Sequence, residues 1–176
     1  MTICVTGKIA TGKSTVSKFF VGKGFEYINV DELGHKAFEI NKEVIKKTFG
    51  TDDRKEVGKI VFASEEKLRQ LEQIVHPTML KLLDKRLEEL KGKDIVIEAA
   101  IKRRLGIKNC DLTITVVASP ETIRERLSGR YDEKTIEEIL KRQEDIVEEG
   151  IVVENNSKIE ELQERLEKIY EKYVNK

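Results

Sequence analysis

Gly7-Lys8-Ile9-Ala10-Thr11-Gly12-Lys13-Ser14-Thr15 is the stretch that decides the fold of this chain, and it follows the apolar run Ile3-Cys4-Val5. Its spacing, G-x-x-x-x-G-K-[ST], is typical of a loop that joins a strand to a helix and binds phosphate with its backbone N–H groups. The start of the following helix adds the positive end of its dipole. The pattern predicts a phosphate-binding loop, residues 7–15, between a first strand and a first helix.

Each marked position in this loop has a chemical reason. Glycine is needed at Gly7 and Gly12, where a side chain would block the close approach of phosphate or strain the backbone. Lys13 is expected to neutralise the β- and γ-phosphates of a nucleotide, and the Ser14 hydroxyl to ligate Mg²⁺. We therefore expect a nucleoside triphosphate to be held by these positions: Gly7, Ala10, Thr11, Gly12, Lys13, Ser14 and Thr15.

The composition bounds the class of protein. The chain has 176 residues, enough for one α/β domain, and 33 Lys and Arg against 33 Asp and Glu. This balance gives no reason to expect nucleic acid or an anionic membrane as partner. No apolar run approaches the roughly 18 residues of a membrane helix and no N-terminal signal is seen, so we expect a soluble cytoplasmic protein. Cys4 and Cys110 match no metal template, and we interpret both as buried, reduced thiols, with a disulfide as the less favoured alternative.

A second short strand, Phe25 to Val30, is followed by Asp31. If this strand runs parallel to the first, Asp31 reaches the carboxyl edge of the sheet, where the phosphates are expected. A carboxylate there can accept the proton of an attacking hydroxyl or orient Mg²⁺ through water. The alternative is that Asp31 caps the next helix, and both roles are compatible. His35 lies on that helix, where an exposed or capping role competes with a substrate contact.

The segment from Lys42 to Gly92 has apolar residues at helical spacing and many charges. Pro77 suits the first turn of a helix, so we expect two helices to meet at His76. A helix N-terminus there is free to face an anion, which makes His76 a candidate substrate ligand, with a structural junction role as the alternative. A block of this length between strands predicts an inserted helical subdomain, about residues 31–92, that clamps an acceptor substrate.

A third strand, Asp94 to Glu98, ends in a carboxylate, which would also emerge near the phosphate-binding loop. A solvated strand end is the alternative for Glu98. Lys102, Arg103 and Arg104 follow directly as a basic cluster. This cluster is either a solvated helix face or a site for substrate phosphates.

The last third of the chain carries arginines between two further strands, Leu112 to Val117 and Ile151 to Val153. We expect a helix from Ser119-Pro120 and then a long helix that extends to Ile146. Residues 129–149 are expected to form a lid, whose Arg130 and Arg142 neutralise charge on the transferred group, with surface arginines paired to glutamates as the alternative. Adenine is expected to rest beside Asn155, after the last strand.

The order of these features resembles the dephospho-CoA kinase family, in the nucleoside-monophosphate-kinase-like group of P-loop kinases. The resemblance covers nearly the whole chain. The stretch Tyr27 to His35 resembles the family's strand, acidic residue and short helix, and the stretch Ile60 to Pro77 is similar to its most distinctive segment. Val153-Glu154-Asn155-Asn156 completes a combination that we associate with this family.

The resemblance implies a three-layer P-loop kinase fold with a five-stranded parallel sheet, a helical acceptor-binding insertion and a lid. The single domain would have its core at about residues 1–30, 93–128 and 150–176. The implied reaction is the ATP-dependent phosphorylation of the ribose 3′-hydroxyl of dephospho-coenzyme A, the last step of coenzyme A synthesis, by a monomer or small homo-oligomer. Asp31 becomes the expected base, with Lys13 and Arg130 as its catalytic partners. ATP and Mg²⁺ are the implied cofactors, and the family's arginine-bearing lid resembles the region of Arg130 and Arg142. The further candidate ligand contacts, from the residues themselves, are Asn155, His35, His76 and Glu98.

The chain departs from the family pattern in three places. Asn29 replaces the first aspartate of a D-x-D pattern, and Lys8 to Thr11 replaces a glycine-richer loop. Ala99-Ala100-Ile101-Lys102-Arg103 stands where the family usually has Pro-Leu-Leu-Phe-Glu, so either the basic cluster engages the diphosphate of the acceptor or the acceptor differs. A kinase for another nucleotide or small metabolite is therefore the alternative. A nucleotide switch is disfavoured because the N/TKxD motif is absent, and a non-enzymatic scaffold because Lys13 and Ser14 are intact.

Overall fold

The apolar run at the N-terminus forms strand β1, Thr2–Thr6, and four of its five residues are buried, as expected for a central parallel strand. In this computed structural model, which describes residues 1–175, β1 lies between the strands Ile95–Glu98 and Leu112–Val117. In chain order the strands are β1, β2 (Glu26–Asn29), β3 (Ile95–Glu98), β4 (Leu112–Val117) and β5 (Ile151–Glu154). Their spatial order is β2-β3-β1-β4-β5. The predicted α/β fold with a five-stranded parallel sheet is confirmed.

The chain divides into two units. The sheet unit comprises residues 1–28 and the chain from residue 92, and the helical unit comprises residues 29–91. The helices of the helical unit are α2 (Val30–Ile40), α3 (Lys42–Phe49), α4 (Arg54–Phe62) and α5 (Glu65–Glu89). The helices of the sheet unit are α1 (Lys13–Gly22), α6 (Pro120–Ser128), α7 (Glu133–Arg142) and α8 (Ile159–Tyr173).

The core of the sheet unit joins β1, β3 and β4 to the inner faces of α1 and α8. Val16 and Phe20 of α1 have no exposed surface, and Leu166 of α8 is also buried. Their helical spacing places them on one face of each helix, against the β-branched residues of the strands. This packing fixes the end of β1 and the start of α1, between which the phosphate-binding loop is held.

The helical unit has a core of its own. Phe38, Ile45, Val57 and Val61 are buried together, one or two from each of its first three helices. The longest helix, α5, packs against α2. A Cβ added at Gly34 would stand 3.4 Å from Cε of Met79, an ordinary van der Waals contact, so Gly34 lies where these two helices meet.

Helix α5 runs without interruption through Pro77, so the predicted junction of two helices at His76 is wrong. Proline in a helix interior removes one backbone hydrogen bond and costs about 3 kcal/mol. Packing along α2 outweighs this cost, and the side-chain amide of Asn41 adds a 2.8 Å hydrogen bond to Oγ1 of Thr78. Local sequence signals a break here, whereas the tertiary contacts keep the helix continuous.

Two helix ends also differ from the sequence-based expectation. Helix α7 ends at Arg142, before Ile146. The sequence also predicts a cap at Ser157 after the last strand, but Lys158 is the residue that precedes α8. The start of α6 is as predicted, because the Ser119 hydroxyl accepts the N–H of Thr122 at 3.1 Å.

Cys4 and Cys110 form a disulfide with a Cα–Cα distance of 5.7 Å, so the prediction of two reduced thiols is wrong. The wide sequence separation of 106 residues hid this pairing. Pairing of β1 with β4 brings the two cysteines together, since Cys4 lies opposite Thr113 and Cys110 is two residues before β4 begins at Leu112.

No helix within residues 1–175 is long and apolar enough to cross a bilayer. The cytoplasmic location stays a prediction.

Candidate active site

The phosphate-binding loop leaves β1 at Thr6 and enters α1 at Lys13. Gly7 and Gly12 have φ angles of 140° and 98°, in the region that favours glycine. A Cβ at Gly7 would collide with the carbonyl oxygen of Val116, so this position also requires glycine for space. The first turn of α1 has no side-chain cap, which leaves its backbone N–H groups available to an anion.

Two side chains of the loop converge on one backbone oxygen. The carbonyl of Lys8 accepts hydrogen bonds from Nζ of Lys13 and from Oγ1 of Thr11, both at 2.9 Å. Lys13 is only 9% exposed and Thr11 is buried. The ammonium group is therefore held back against the loop, in position to meet a phosphate that enters it.

The carboxylate of Glu98, at the end of β3, connects the loop to a neighbouring strand. Its Oε1 accepts the hydroxyl of Ser14 at 2.7 Å, and its Oε2 accepts the hydroxyl of Tyr27 at 2.6 Å. Glu98 is 4% exposed, so a solvated strand end, the alternative weighed for it, is wrong. The strand order places β3 beside β1, which brings this carboxylate to the start of α1.

Asn155, directly after β5, and Arg126 of α6 form a brace, a set of hydrogen bonds to the other side of the loop. Nδ2 of Asn155 donates to the carbonyl of Thr11 at 2.8 Å. The guanidinium of Arg126 donates to the carbonyls of Ala10 and Asn155, each at 2.8 Å. A cavity of about 460 Å³ opens beside this brace, with a lining that includes Gly12, Thr15, Arg126, Arg130, Asn155 and Ser157. The predicted residues Asn155 and Arg130 thus share one cavity with the loop.

The segment after α7 also reaches the loop. Oε1 of Gln143 accepts the backbone N–H of Ile9 at 2.7 Å. A second cavity, of about 840 Å³, lies on this side and is lined by Lys8 and Thr11 of the loop, the end of β4, and residues of α6 and α7 such as Arg124 and Lys141. Gln143 directly follows the predicted lid residue Arg142.

In the helical unit, Asp31 is exposed in the first turn of α2. The helix cap is Asn29, whose Oδ1 accepts the N–H groups of Asp31 at 2.9 Å and Glu32 at 3.4 Å. The interpretation of Asp31 as the cap is therefore wrong. Asparagine caps a helix as well as aspartate does, so Asn29 serves this purpose although it departs from the D-x-D pattern.

The two histidines lie apart within the helical unit. His35 is exposed on α2 and lines a shallow cavity of about 440 Å³ with neighbours that include Lys36, Glu39 and Arg54. His76 is half-buried in the middle of α5. No helix begins at His76, so the expected helix N-terminus facing an anion is absent there, and a substrate contact by His76 loses that support.

The contacts of several site residues escaped sequence reasoning. Tyr27, Arg126 and Gln143 each make a contact that ties the loop or Glu98 to a distant segment. No local motif marks them, because each partner is brought close only by the order of the strands. Among residues 1–175, no group of three or more His, Cys, Asp or Glu side chains could hold a metal ion by itself.

Comparison with known proteins gives consistent results. A family model described as dephospho-CoA kinase matches residues 1–161. The dephospho-CoA kinase of Fusobacterium nucleatum is 33% identical, and the alignment covers 97% of each chain. The crystal structure of TT1252 from Thermus thermophilus is 26% identical with a TM-score of 0.78, covering 99% of this chain and 98% of that one. The dephospho-CoA kinase from Campylobacter jejuni has a TM-score of 0.67 at 20% identity, over 99% of this chain and 97% of the other, and supports the fold alone.

Proposed function

The chain belongs to the dephospho-CoA kinase family, and on this basis we propose a mechanism for its ATP-dependent phosphorylation of dephospho-coenzyme A in coenzyme A biosynthesis. In the proposed reaction the ribose 3′-oxygen attacks the γ-phosphorus of ATP. The bond from that phosphorus to the oxygen bridging the β- and γ-phosphates breaks, and ADP leaves with the bridging oxygen. Catalysis of this kind depends on positioning and on neutralising charge rather than on covalent intermediates.

ATP is proposed to place its phosphates in the phosphate-binding loop and its base in the cavity beside Asn155. The uncapped first turn of α1 and the ammonium of Lys13 support the phosphate position. Asn155 and Arg126 are also proposed to orient the loop, because their hydrogen bonds to its carbonyl groups keep those groups turned away from the incoming anion. Gly7, Ala10, Gly12 and Thr15 complete the proposed nucleotide-binding set.

Mg²⁺ is proposed to be held by Ser14 and Glu98. The two oxygens lie 2.7 Å apart, and one hydroxyl with one carboxylate is the small protein contribution that Mg²⁺ takes when phosphates and waters supply its other ligands. When bound, the ion neutralises charge on the β- and γ-phosphate oxygens. The hydroxyl of Tyr27 would then hold the second oxygen of Glu98 in place.

Asp31 is proposed as the base that takes the proton of the ribose hydroxyl. Its exposed position in the first turn of α2, the helix that directly follows β2, supports this role. Arg130 and Arg142 are proposed to neutralise the transferred phosphoryl group from a lid of residues 129–149. The cavity that Arg130 shares with the loop supports its part in this.

The helical unit is proposed to bind the acceptor, with His35 and His76 as the candidate contacts. Because Ala99 to Arg103 replaces the family motif, the basic cluster Lys102 to Arg104 is proposed to bind the diphosphate of the acceptor. In the sheet unit, Lys102 and Arg104 are paired with Glu149 and Asp145, whereas Arg103 is exposed. Arg103 is therefore the member of the basic cluster best suited to meet a substrate phosphate.

The observation that carries this proposal is the convergence of Lys13, Ser14 and Glu98 on one loop. The test is ADP release measured with ATP and Mg²⁺, with and without dephospho-coenzyme A, alongside adenosine, AMP and shikimate as acceptors. We expect ADP release to depend on dephospho-coenzyme A and the product to be coenzyme A. The Lys13→Ala variant serves as the control for contaminating kinases. Equal ADP release with another acceptor would favour the alternative of a kinase for a different metabolite.

A further inference from the structure

The turn after β3 and the segment after α7 are joined by a fork of hydrogen bonds from Arg104. Its Nε donates to Oδ2 of Asp145 and its Nη2 to Oδ1, both at 2.5 Å. The same Nη2 donates to the backbone carbonyl of Arg142 at 2.7 Å. One guanidinium thus holds both a side chain and the main chain at the end of α7.

The carbonyl of Arg142 is one of the last four of α7, which have no partner inside the helix. Arg104 supplies that partner, so it caps the helix from a separate segment. Helix α7 has ten residues; Ile136 is buried and Leu140 packs partly buried against the same cluster, so the last residues of the helix, up to Arg142, lie beyond this packing. A helix of this length needs tertiary contacts to hold a defined position.

The turn that carries Arg104 is itself well anchored. Leu105 and Ile107 are buried, and the N–H of Leu105 donates to the carbonyl of Ile101 at 3.0 Å. Lys102 in the same turn pairs with Glu149 at 2.7 Å, which holds the far end of the segment that follows α7. Arg104 therefore joins an anchored turn to the carboxyl-terminal end of α7.

The segment that directly follows α7 contacts the phosphate-binding loop. Gln143, next to Arg142, contacts the N–H of Ile9 in the phosphate-binding loop. A shift of the helix end therefore moves Arg142 relative to the loop. Arg104 directly follows the segment Ala99 to Arg103, where this chain departs from the family motif.

We propose that Arg104 is a positioning residue for phosphoryl transfer, which fixes Arg142 against the phosphate-binding loop by holding the end of α7. This inference rests on the proposed role of Arg142 in the lid. Because Arg104 acts through Arg142, its loss lowers stabilisation of the transition state and leaves the binding of ATP and dephospho-coenzyme A nearly unchanged.

The test is a double-mutant cycle on kcat with Arg104→Ala, Arg142→Ala and the double variant. We expect Arg104→Ala to lower kcat about tenfold and to leave both KM values within about twofold of the wild-type values. In the Arg142→Ala background, Arg104→Ala should not lower kcat further. Asp145→Ala should give a similar loss, and Lys108→Ala, which removes a charge from the same connection, should change kcat less than twofold. Arg104→Lys keeps the charge but not the forked pair of hydrogen bonds, so its kcat should fall less than that of Arg104→Ala. It replaces Arg104→Ala in the cycle if that variant does not fold.

Different outcomes separate the possible failures. Losses that multiply in the double variant would show that Arg104 acts independently of Arg142 and would overturn the inference. A tenfold rise in the KM for dephospho-coenzyme A in Arg104→Ala, with kcat unchanged, would also overturn the inference. It would show that Arg104 binds dephospho-coenzyme A directly. A loss in Arg142→Ala with none in Arg104→Ala overturns this inference alone. No loss in Arg142→Ala overturns the proposed role of Arg142 and the inference with it.

Discussion

The hydroxyl of Ser14 donates a 2.7 Å hydrogen bond to Oε1 of Glu98, a carboxylate 84 residues further along the chain. The contact joins the first turn of α1 to the end of β3, because β3 lies beside β1 in the sheet. It places the one hydroxyl that the loop motif assigns to Mg²⁺ next to a buried carboxylate. In the proposed mechanism, this pair holds Mg²⁺ once the nucleotide is bound.

The first prediction concerns this pair. Glu98→Gln keeps the shape of the side chain and removes its charge, so we expect kcat to fall about a hundredfold and the Mg²⁺ concentration for half-maximal activity to rise. Activity measured over a range of Mg²⁺ concentrations checks this. Tyr27→Phe is the matched control, because it removes a hydrogen bond to the same carboxylate without changing charge, and its kcat should fall no more than about threefold. Unchanged Mg²⁺ dependence in Glu98→Gln would argue against the proposed metal site.

The second prediction concerns the proposed base. Asp31→Ala is expected to lower kcat a hundredfold or more while ATP still binds, because the variant loses proton acceptance and no contact to the nucleotide. Single-turnover phosphoryl transfer and ATP binding by calorimetry measure the two effects separately. Glu32→Gln, at the neighbouring exposed position of the same helix turn, should leave kcat within about twofold. Should Asp31→Ala turn over at the normal rate, another group takes the proton.

The third prediction concerns pH. Hydrogen bonds from Arg104 hold the pKa of Asp145 below its ordinary value of 3.8. Because the pKa is lower in the folded state, the stabilisation from this pair is complete above the ordinary value and is lost as pH falls through the folded value. In Arg104→Ala the pKa of Asp145 should rise toward 3.8, as followed by NMR of the side-chain carboxyl carbon.

Asp132 provides the internal control for that titration. The backbone N–H of Thr135 lowers the pKa of Asp132 by hydrogen bonding, at the start of α7 and away from Arg104. Its pKa should therefore stay low in Arg104→Ala. An Asp145 titration that does not respond to Arg104→Ala would show that the two side chains are not paired in solution.

The fourth prediction concerns the disulfide. Cys4 and Cys110 close a loop with a sequence separation of 106 residues. In the chain-entropy model a bridge of this span contributes about 4–5 kcal/mol to the free energy of unfolding. Reduction should therefore lower the thermal midpoint by roughly 10–20 °C. The Cys110→Ser variant should have the same thermal midpoint as the reduced wild-type protein, and reductant should not change it. Equal midpoints for the oxidised and reduced wild-type protein would mean that the disulfide does not form.

Local signals predicted much of the fold. The strand, loop and helix around Lys13 follow from a motif whose residues are contiguous, and the start of α6 follows from Ser119 and Pro120. In both cases the determining interactions lie within a few residues. The continuation of α5 through Pro77 could not be predicted this way, because packing against α2 decides it.

The site was predictable in its residues more than in its contacts. Ser14, Glu98 and Asn155 were identified as candidates from position after a strand or within a motif. Their partners depend on strand order, and that order brings Glu98 to Ser14 and Asn155 to the carbonyl of Thr11. The disulfide was missed for the same reason, since its two cysteines meet only when β4 pairs with β1.

The backbone N–H of Ile9 donates to Oε1 of Gln143, so a phosphate oxygen that binds this N–H must replace Gln143 as its acceptor. The amide of Ile9 already has a neutral oxygen at 2.7 Å, so an incoming ligand must offer something better than Gln143 does. A phosphate oxygen qualifies, because a hydrogen bond to a charged acceptor is roughly twice as strong as one to a neutral acceptor. A hydroxyl or carbonyl oxygen of a neutral metabolite gains almost nothing by the swap. If the phosphates bind at this loop as proposed, the side chain of Gln143 thus favours anions over neutral molecules of similar size.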